Sequence, residues 1–132
     1  ELVKEVNLSD FFKQTDILSI HLPLTEETTY LVDNQFINQF QKNIYLINTA
    51  RGKNVRIADL VNALDSGKVL GACLDVLEYE QTSFEDLKKE DLPLAFQQLI
   101  ASDKVVLTPH VAGWTQESYF KLSDVLADKI LK

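Results

Sequence analysis

The sequence predicts an α/β fold built on a mainly parallel sheet. Three observations point there. Short apolar runs alternate with amphipathic stretches of helical spacing, the pattern that crossover connections produce. The apolar runs are rich in Ile, Leu and Val without strict alternation, as in strands covered on both faces. A length of 132 residues, 45% of them hydrophobic and 25% charged, suits one globular domain with a sizeable core.

Each element follows from its own stretch. A weak apolar unit, Leu2 to Val6, precedes a helical turn from Ser9 that buries Phe11 or Phe12. Asp16 to Leu22 reads as a strand. Asp33 to Gln41 reads as a short helix with Asp33 as N-cap and Phe36, Ile37 and Phe40 on one face. Ile44 to Asn48 is the next strand. Ile57, Leu60, Val61 and Leu64 fall at helical spacing, so Ile57 to Ser66 is a helix, and Gly67 is a natural residue just past its end. Val69 to Val76 is a strand, and so is Lys104 to Thr108, which Pro109 stops. Thr115 to Leu131 is a final helix with Tyr119, Leu122, Val125, Leu126 and Ile130 as its apolar stripe. Glu78 to Asp103 breaks the pattern. It is acidic, then amphipathic over Leu92 to Ile100, and too long for a plain connection.

Bulk properties exclude several classes of partner. A formal charge of −7 argues against nucleic acid and anionic membrane, both of which select a basic face. No run is long and apolar enough to span a bilayer, and the charged start ELVKEVNLSD has no secretory apolar segment behind it. The single cysteine, Cys73, forms no internal disulfide and fits a reducing cytoplasm. His21 and His110 are far apart and Cys73 has no CxxC partner, so no metal site is expected. The chain has no Met, and it starts inside what reads as a structural unit, so a piece of a longer or processed polypeptide is expected.

Chemistry gathers after the strands. His21-Leu22-Pro23 follows the first, Thr49 and Arg51 the second, Asp75 with Glu78 and Glu80 the third, and His110 the fourth. In a parallel sheet these strand ends share one edge, where open α/β sheets bind ligands. Each residue has a plainer reading. Arg51 is also a solvated loop charge, His110 a turn residue and Glu80 a solvated carboxylate. His21 is also a satisfied core or rim histidine, and Cys73 an inert buried thiol. Asp75 resists dismissal, because in the apolar context ACLDVL an unpaired carboxylate is costly. Together the residues suggest more. Arg offers a planar fork for a carboxylate, and a His paired with a carboxylate handles a proton near neutral pH. The set suits a small acid bearing a carbonyl or hydroxyl. No side chain accepts a hydride, so an organic cofactor is implied.

The segments HLPLTEET, LINTARG, SGKVLGACLDVLEYE and LTPHVAGWTQES, in this order, resemble the nucleotide-binding domain of the D-isomer-specific 2-hydroxyacid dehydrogenases. The look is closest to the D-3-phosphoglycerate dehydrogenase group. The resemblance covers nearly the whole chain and implies a Rossmann-like, mostly parallel doubly wound sheet, of which residues 1–132 form the C-terminal portion, with the substrate domain absent. It implies that Arg51 binds the substrate carboxylate, that His110 is the catalytic histidine and that Glu80 is its carboxylate partner. It also implies that Asp75 holds the nicotinamide carboxamide. Pro23, Thr49, Ala50, Arg51 and the segment from His110 through Ala112 to Gly113 would border the cofactor. The resemblance implies NAD as cofactor, with NADP as the alternative. The substrate it implies is a 2-hydroxy or 2-oxo acid, 3-phosphoglycerate among the candidates. The protein is expected to be cytoplasmic and a homodimer or higher oligomer.

The sequence departs from the family pattern in three ways. Gly52-Lys53 stands where two glycines are usual, and the stretch from Glu80 to His110 is longer than in compact members. No two of Gly52, Gly67, Gly71 and Gly113 fall at G-x-G-x-x-G spacing. Two other functions compete. A dinucleotide-sensing, corepressor-like protein of the same fold could keep the Arg-Glu-His set. A flavodoxin-like or receiver-type module predicts paired acidic residues after the first strand, and Leu2 to Asp10 offers none.

Overall fold

The computed structural model describes residues 3–79 and 92–131. Helix α1 (Leu8–Gln14) starts where Asn7 accepts the Asp10 amide on its side chain, and carries Asp10 and Lys13 at the ends that suit its dipole. Strand β1 (Ile17–Ile20) follows. Helix α2 (Asn34–Gln39) is capped by Asp33, whose Oδ1 accepts the Phe36 amide at 2.9 Å, as the sequence predicts. Phe11, Phe12, Phe36 and Phe40 pack edge to face, with Phe12 5.2 Å from Phe36 and 5.0 Å from Phe40, so α1 and α2 are joined by one aromatic cluster.

Strand β2 (Ile44–Asn48) has the bounds read from the sequence. After a single 3-10 turn at Gly52–Asn54 comes helix α3 (Ile57–Asp65), which buries Ile57, Leu60, Val61, Ala63 and Leu64. Ser66 closes it, and Gly67 adopts φ +76°, the left-handed end that glycine takes without strain. Strand β3 (Val69–Leu74), helix α4 (Leu94–Ala101), strand β4 (Val105–Leu107) and helix α5 (Gln116–Ile130) complete the order. Thr115 caps α5 by accepting the Ser118 amide. Strands β1, β3 and β4 are shorter than predicted, because pairing ends where the chain turns off the sheet edge. Residues 3–6 form no strand.

The sheet runs β1-β2-β3-β4, every pair parallel. Sequential order requires each crossover to step the same way. Since such crossovers are right-handed, the connecting helices stack on one face. Leu18, Ile20, Ile44, Leu46, Val69, Ala72 and Leu74 point to that face and join Ile37, Leu60, Leu64 and Leu99 in one core. Ile17, Tyr45, Leu70 and Val106 point the other way and are exposed. The expectation of strands covered on both faces is therefore corrected for the described residues: helices α1 to α4 complete one layer of the doubly wound arrangement, and α5 buries none of its residues. Cys73 is corrected with it. Its place in β3 turns it to the open face, where it is exposed.

Candidate functional site at the C-terminal strand edge

Four parallel strands bring four chain exits to one edge. The exit from β1 carries His21, exposed, with Nε2 2.8 Å from Ser19 Oγ. This is the rim histidine of the plainer reading. Pro23 is exposed on the same rim. Its carbonyl accepts the Thr28 hydroxyl at 2.7 Å within a turn built by Thr25 and Thr28.

The exit from β2 is shaped by Asn48, which is fully buried. Its Oδ1 accepts the Ala50 amide at 3.0 Å, and its Nδ2 donates to the Arg51 carbonyl at 3.0 Å. One side chain thus closes the turn that carries Thr49, Ala50 and Arg51. Thr49 and Arg51 are exposed, and Ala50 is half-buried. Arg51 Nη1 donates to the Ala50 carbonyl at 2.6 Å, and among the described residues no carboxylate lies within ion-pair reach of the guanidinium. Of the five donors of that fork, most stay available to an incoming anion. Gly52 is needed for a close approach: a Cβ there would lie 1.9 Å from the Leu77 carbonyl oxygen. The backbone carrying Arg51 therefore abuts the backbone that leads towards Glu80.

The exits from β3 and β4 are tied together by Asp75. Its side chain is buried, and it collects three donors. Oδ1 accepts the Thr108 hydroxyl at 2.5 Å and the Val111 amide at 2.8 Å, and Oδ2 accepts the Ala112 amide at 2.9 Å. Its carbonyl accepts the His110 amide at 2.9 Å, and its own amide donates to the Asn48 carbonyl at 3.0 Å. Burial pushes the Asp75 carboxyl up. The hydrogen bonds from Thr108, Ala112 and Val111 and the charge of nearby His110 outweigh that push and hold it below the ordinary value. His110 is exposed and sits at φ +55°, a left-handed conformation uncommon outside glycine. Ala112 and Gly113 are exposed beside it. A cleft of about 270 Å3 opens between these exits, walled by Thr49, Cys73, Val106, Val111 and Ala112 with Asp75 at its base.

Neighbouring strands lie roughly 4.8 Å apart, so the turns carrying Arg51 and His110, one strand apart across β3, are separated by about 10 Å at their roots. The structure thus brings Thr49, Ala50, Arg51, Asp75, His110 and Ala112 to one edge, with Pro23 on the rim at the β1 end. Glu80 lies outside the described residues, as do 81–91 of the 81–103 segment. Within the rest of that segment α4 spans Leu94–Ala101 and buries Phe96 and Leu99.

Glu78 takes a part that the sequence did not announce. Its Oε1 accepts the Ile57 amide at 3.2 Å, capping α3, where Arg56 occupies the N-cap and offers no side-chain acceptor. Glu78 also acts on the hydroxyls of Tyr30 and Tyr79. Burial first, then the Glu78 charge and hydrogen bond, push Tyr30 upward against the opposing charge of Arg56, which stacks 4.5 Å over its ring. Tyr79 is pushed further upward, by burial and then by Glu78. This knot fixes the chain where it leaves for Glu80. Asn48 and Thr108 also escaped the sequence reading. Asn48 left a signal, a turn-forming Asn at the end of an apolar run. Thr108 and Glu78 act on residues distant in sequence and left none.

Residues 1–112 match the family described as D-isomer specific 2-hydroxyacid dehydrogenase, NAD binding domain. The chain belongs to that family of NAD-binding domains. It is 35% identical over 130 residues to a hydroxypyruvate reductase of Thermotoga maritima, covering 98% of this chain and 40% of the relative. Over 113 residues it is 40% identical to a D-specific alpha-keto acid dehydrogenase of Enterococcus faecalis, covering 84% and 35% respectively. The NAD-complexed D-isomer specific 2-hydroxyacid dehydrogenase of Lactobacillus delbrueckii ssp. bulgaricus superposes with a TM-score of 0.81 at 32% identity, over 95% of this chain and 39% of that one. The chain thus spans about 40% of the length of relatives such as the Thermotoga protein.

Proposed function

We propose that this chain is the part of an NAD-dependent D-2-hydroxyacid dehydrogenase that faces the nicotinamide and the substrate carboxylate. One observation carries the reading: Arg51, Asp75 and His110 leave three neighbouring parallel strands at one edge, with His110 tied to Asp75. The Arg51 fork, with most donors unspent, holds the carboxylate of a 2-oxo acid in bidentate fashion. The cleft has one wall of apolar and small side chains and a carboxylate at its base, which fits a nicotinamide ring and its carboxamide. Bound NAD(H) supplies the hydride that a side chain cannot. His110 gives a proton to the carbonyl oxygen of the oxo acid as that oxygen becomes a hydroxyl, and takes it back in the reverse direction. Glu80, outside the described residues, is the carboxylate that the family resemblance assigns to His110 as its partner.

In this reading residues 1–132 are the C-terminal portion of a dinucleotide-binding domain within a longer, cytoplasmic, homodimeric or larger enzyme. The substrate class is small 2-oxo acids, since relatives carry names such as hydroxypyruvate reductase, glyoxylate reductase and D-lactate dehydrogenase. 3-Phosphoglycerate is a narrower candidate within it. The test is NADH oxidation by the full-length protein against pyruvate, glyoxylate, hydroxypyruvate, phenylpyruvate and the oxo acid of 3-phosphoglycerate. Turnover of at least one, with a D-hydroxy acid product, is expected. NADH binding without turnover of any would favour the dinucleotide-sensing alternative.

A further inference from the structure

We propose that Asp75 is a positioning residue for His110, a role separate from any contact it makes with a dinucleotide. Its carboxylate draws in donors from both sides of His110: the Thr108 hydroxyl before it and the Val111 and Ala112 amides after it. The carbonyl of the same residue takes the His110 amide. A non-glycine residue adopts a left-handed backbone at such a site only where its surroundings over-determine it. Here the two amides that follow the left-handed residue converge on one buried anion. The φ of +55° at His110 thus has its cause at the end of β3, one strand away. Asp75 is in turn tied to Asn48, so the His110 turn and the Arg51 turn are referenced to the same pair of strand ends.

A carboxylate has about four acceptor positions, and three are already taken. The remaining one, on Oδ2, leaves room for a ligand donor. The loop and the ligand therefore draw on the same group, and substitution separates their contributions. Asp75→Asn keeps the shape but turns amide hydrogens towards N–H donors. Thr108→Val removes one donor and leaves the carboxylate intact.

The first measurement is amide hydrogen exchange on the full chain without dinucleotide, which does not depend on the dehydrogenase reading. In Asp75→Asn, exchange at Val111 and Ala112 should rise at least about tenfold, while Leu46 and Leu60 in the core stay within about twofold of wild type. Thr108→Val should show the same pattern at smaller amplitude, and it decides the matter if Asp75→Asn fails to fold. The second measurement rests on the dehydrogenase reading. In the full-length enzyme, Thr108→Val, which leaves the carboxylate free for the dinucleotide, should lower kcat for a 2-oxo acid by about tenfold, a part of the roughly 10²–10⁴-fold acid–base contribution, with KM for NADH changed by less than about threefold. Unchanged exchange at Val111 and Ala112 in either folded variant would overturn the proposal. So would a rise in KM for NADH at unchanged kcat, which would leave Asp75 as a cofactor contact only. Raised exchange in a protein whose wild type turns over no oxo acid would support the positioning role and count against the dehydrogenase reading alone.

Discussion

At the scale of single residues, Arg51 bears the sharpest expectation. Its guanidinium has no carboxylate partner among the described residues, so its planar fork remains the feature to test. In the full-length protein Arg51→Lys should recover little of what Arg51→Ala loses, because lysine keeps the charge and forfeits the bidentate geometry. The loss should lie in kcat/KM for 2-oxo acids. Equal kinetics for Arg and Lys would reduce Arg51 to a solvated charge. Asp75 gives a pH prediction. Its folded pKa lies below the ordinary value, so its contribution to stability is complete above about pH 4 and is lost as pH falls through the lower folded value. Denaturant midpoints measured from pH 6 to pH 3 should fall less steeply in Asp75→Asn than in wild type. Identical slopes would mean that the carboxylate is not engaged as described. Arg51, Asp75 and His110 were legible in the sequence because each follows an apolar run, and strand ends of a parallel sheet share an edge. The partners that hold them were less so. Thr108 and Asp75 are 33 residues apart, and no local pattern announces their bond.

At the scale of elements, the 3-10 turn between β2 and α3 is the junction on which the site depends. Gly52 there packs its Cα against the Leu77 carbonyl, and Glu78, the next residue, caps α3. Gly52→Ala must push two backbone segments apart. Its cost should reach or exceed the top of the roughly 1–3 kcal/mol typical of overpacking. Because Gly52 directly follows Arg51, displacing it shifts the turn that carries the guanidinium, and on the proposed function substrate affinity should fall as well. Thermal denaturation and KM for the oxo acid check both, and a variant as stable as wild type would contradict the close approach. The elements with strong local signals were readable. Asp33 caps α2, Ile44–Asn48 pairs over its whole length, and Gly67 ends α3 in the left-handed region. The coverage of the sheet was not. An apolar residue on an open strand face looks the same in sequence as one beneath a helix, and Tyr45, Leu70 and Val106 are of the first kind.

At the scale of the whole molecule, many large apolar side chains are left open among the described residues. The open sheet face contributes, and so does α5, which buries none of its residues and exposes Tyr119, Phe120, Leu122, Val125, Leu126 and Ile130. Strand β1, at an edge of the sheet, adds unpaired backbone. Produced alone, these 132 residues should self-associate, bind NADH weakly at best and turn over no oxo acid. On the proposed function these residues, with no G-x-G-x-x-G turn among them, would contact only the nicotinamide end of the dinucleotide. Light scattering and calorimetric titration test this, and micromolar NADH binding by a strictly monomeric sample would contradict it. On the proposed function, His110→Asn in the full-length protein should divide cofactor binding from proton transfer. The decisive measurement is kcat for a reducible 2-oxo acid alongside the Kd for NADH in that variant. The account predicts a fall in kcat of roughly 10²–10⁴-fold with NADH affinity within a few-fold of wild type. Near-normal turnover in His110→Asn would contradict it.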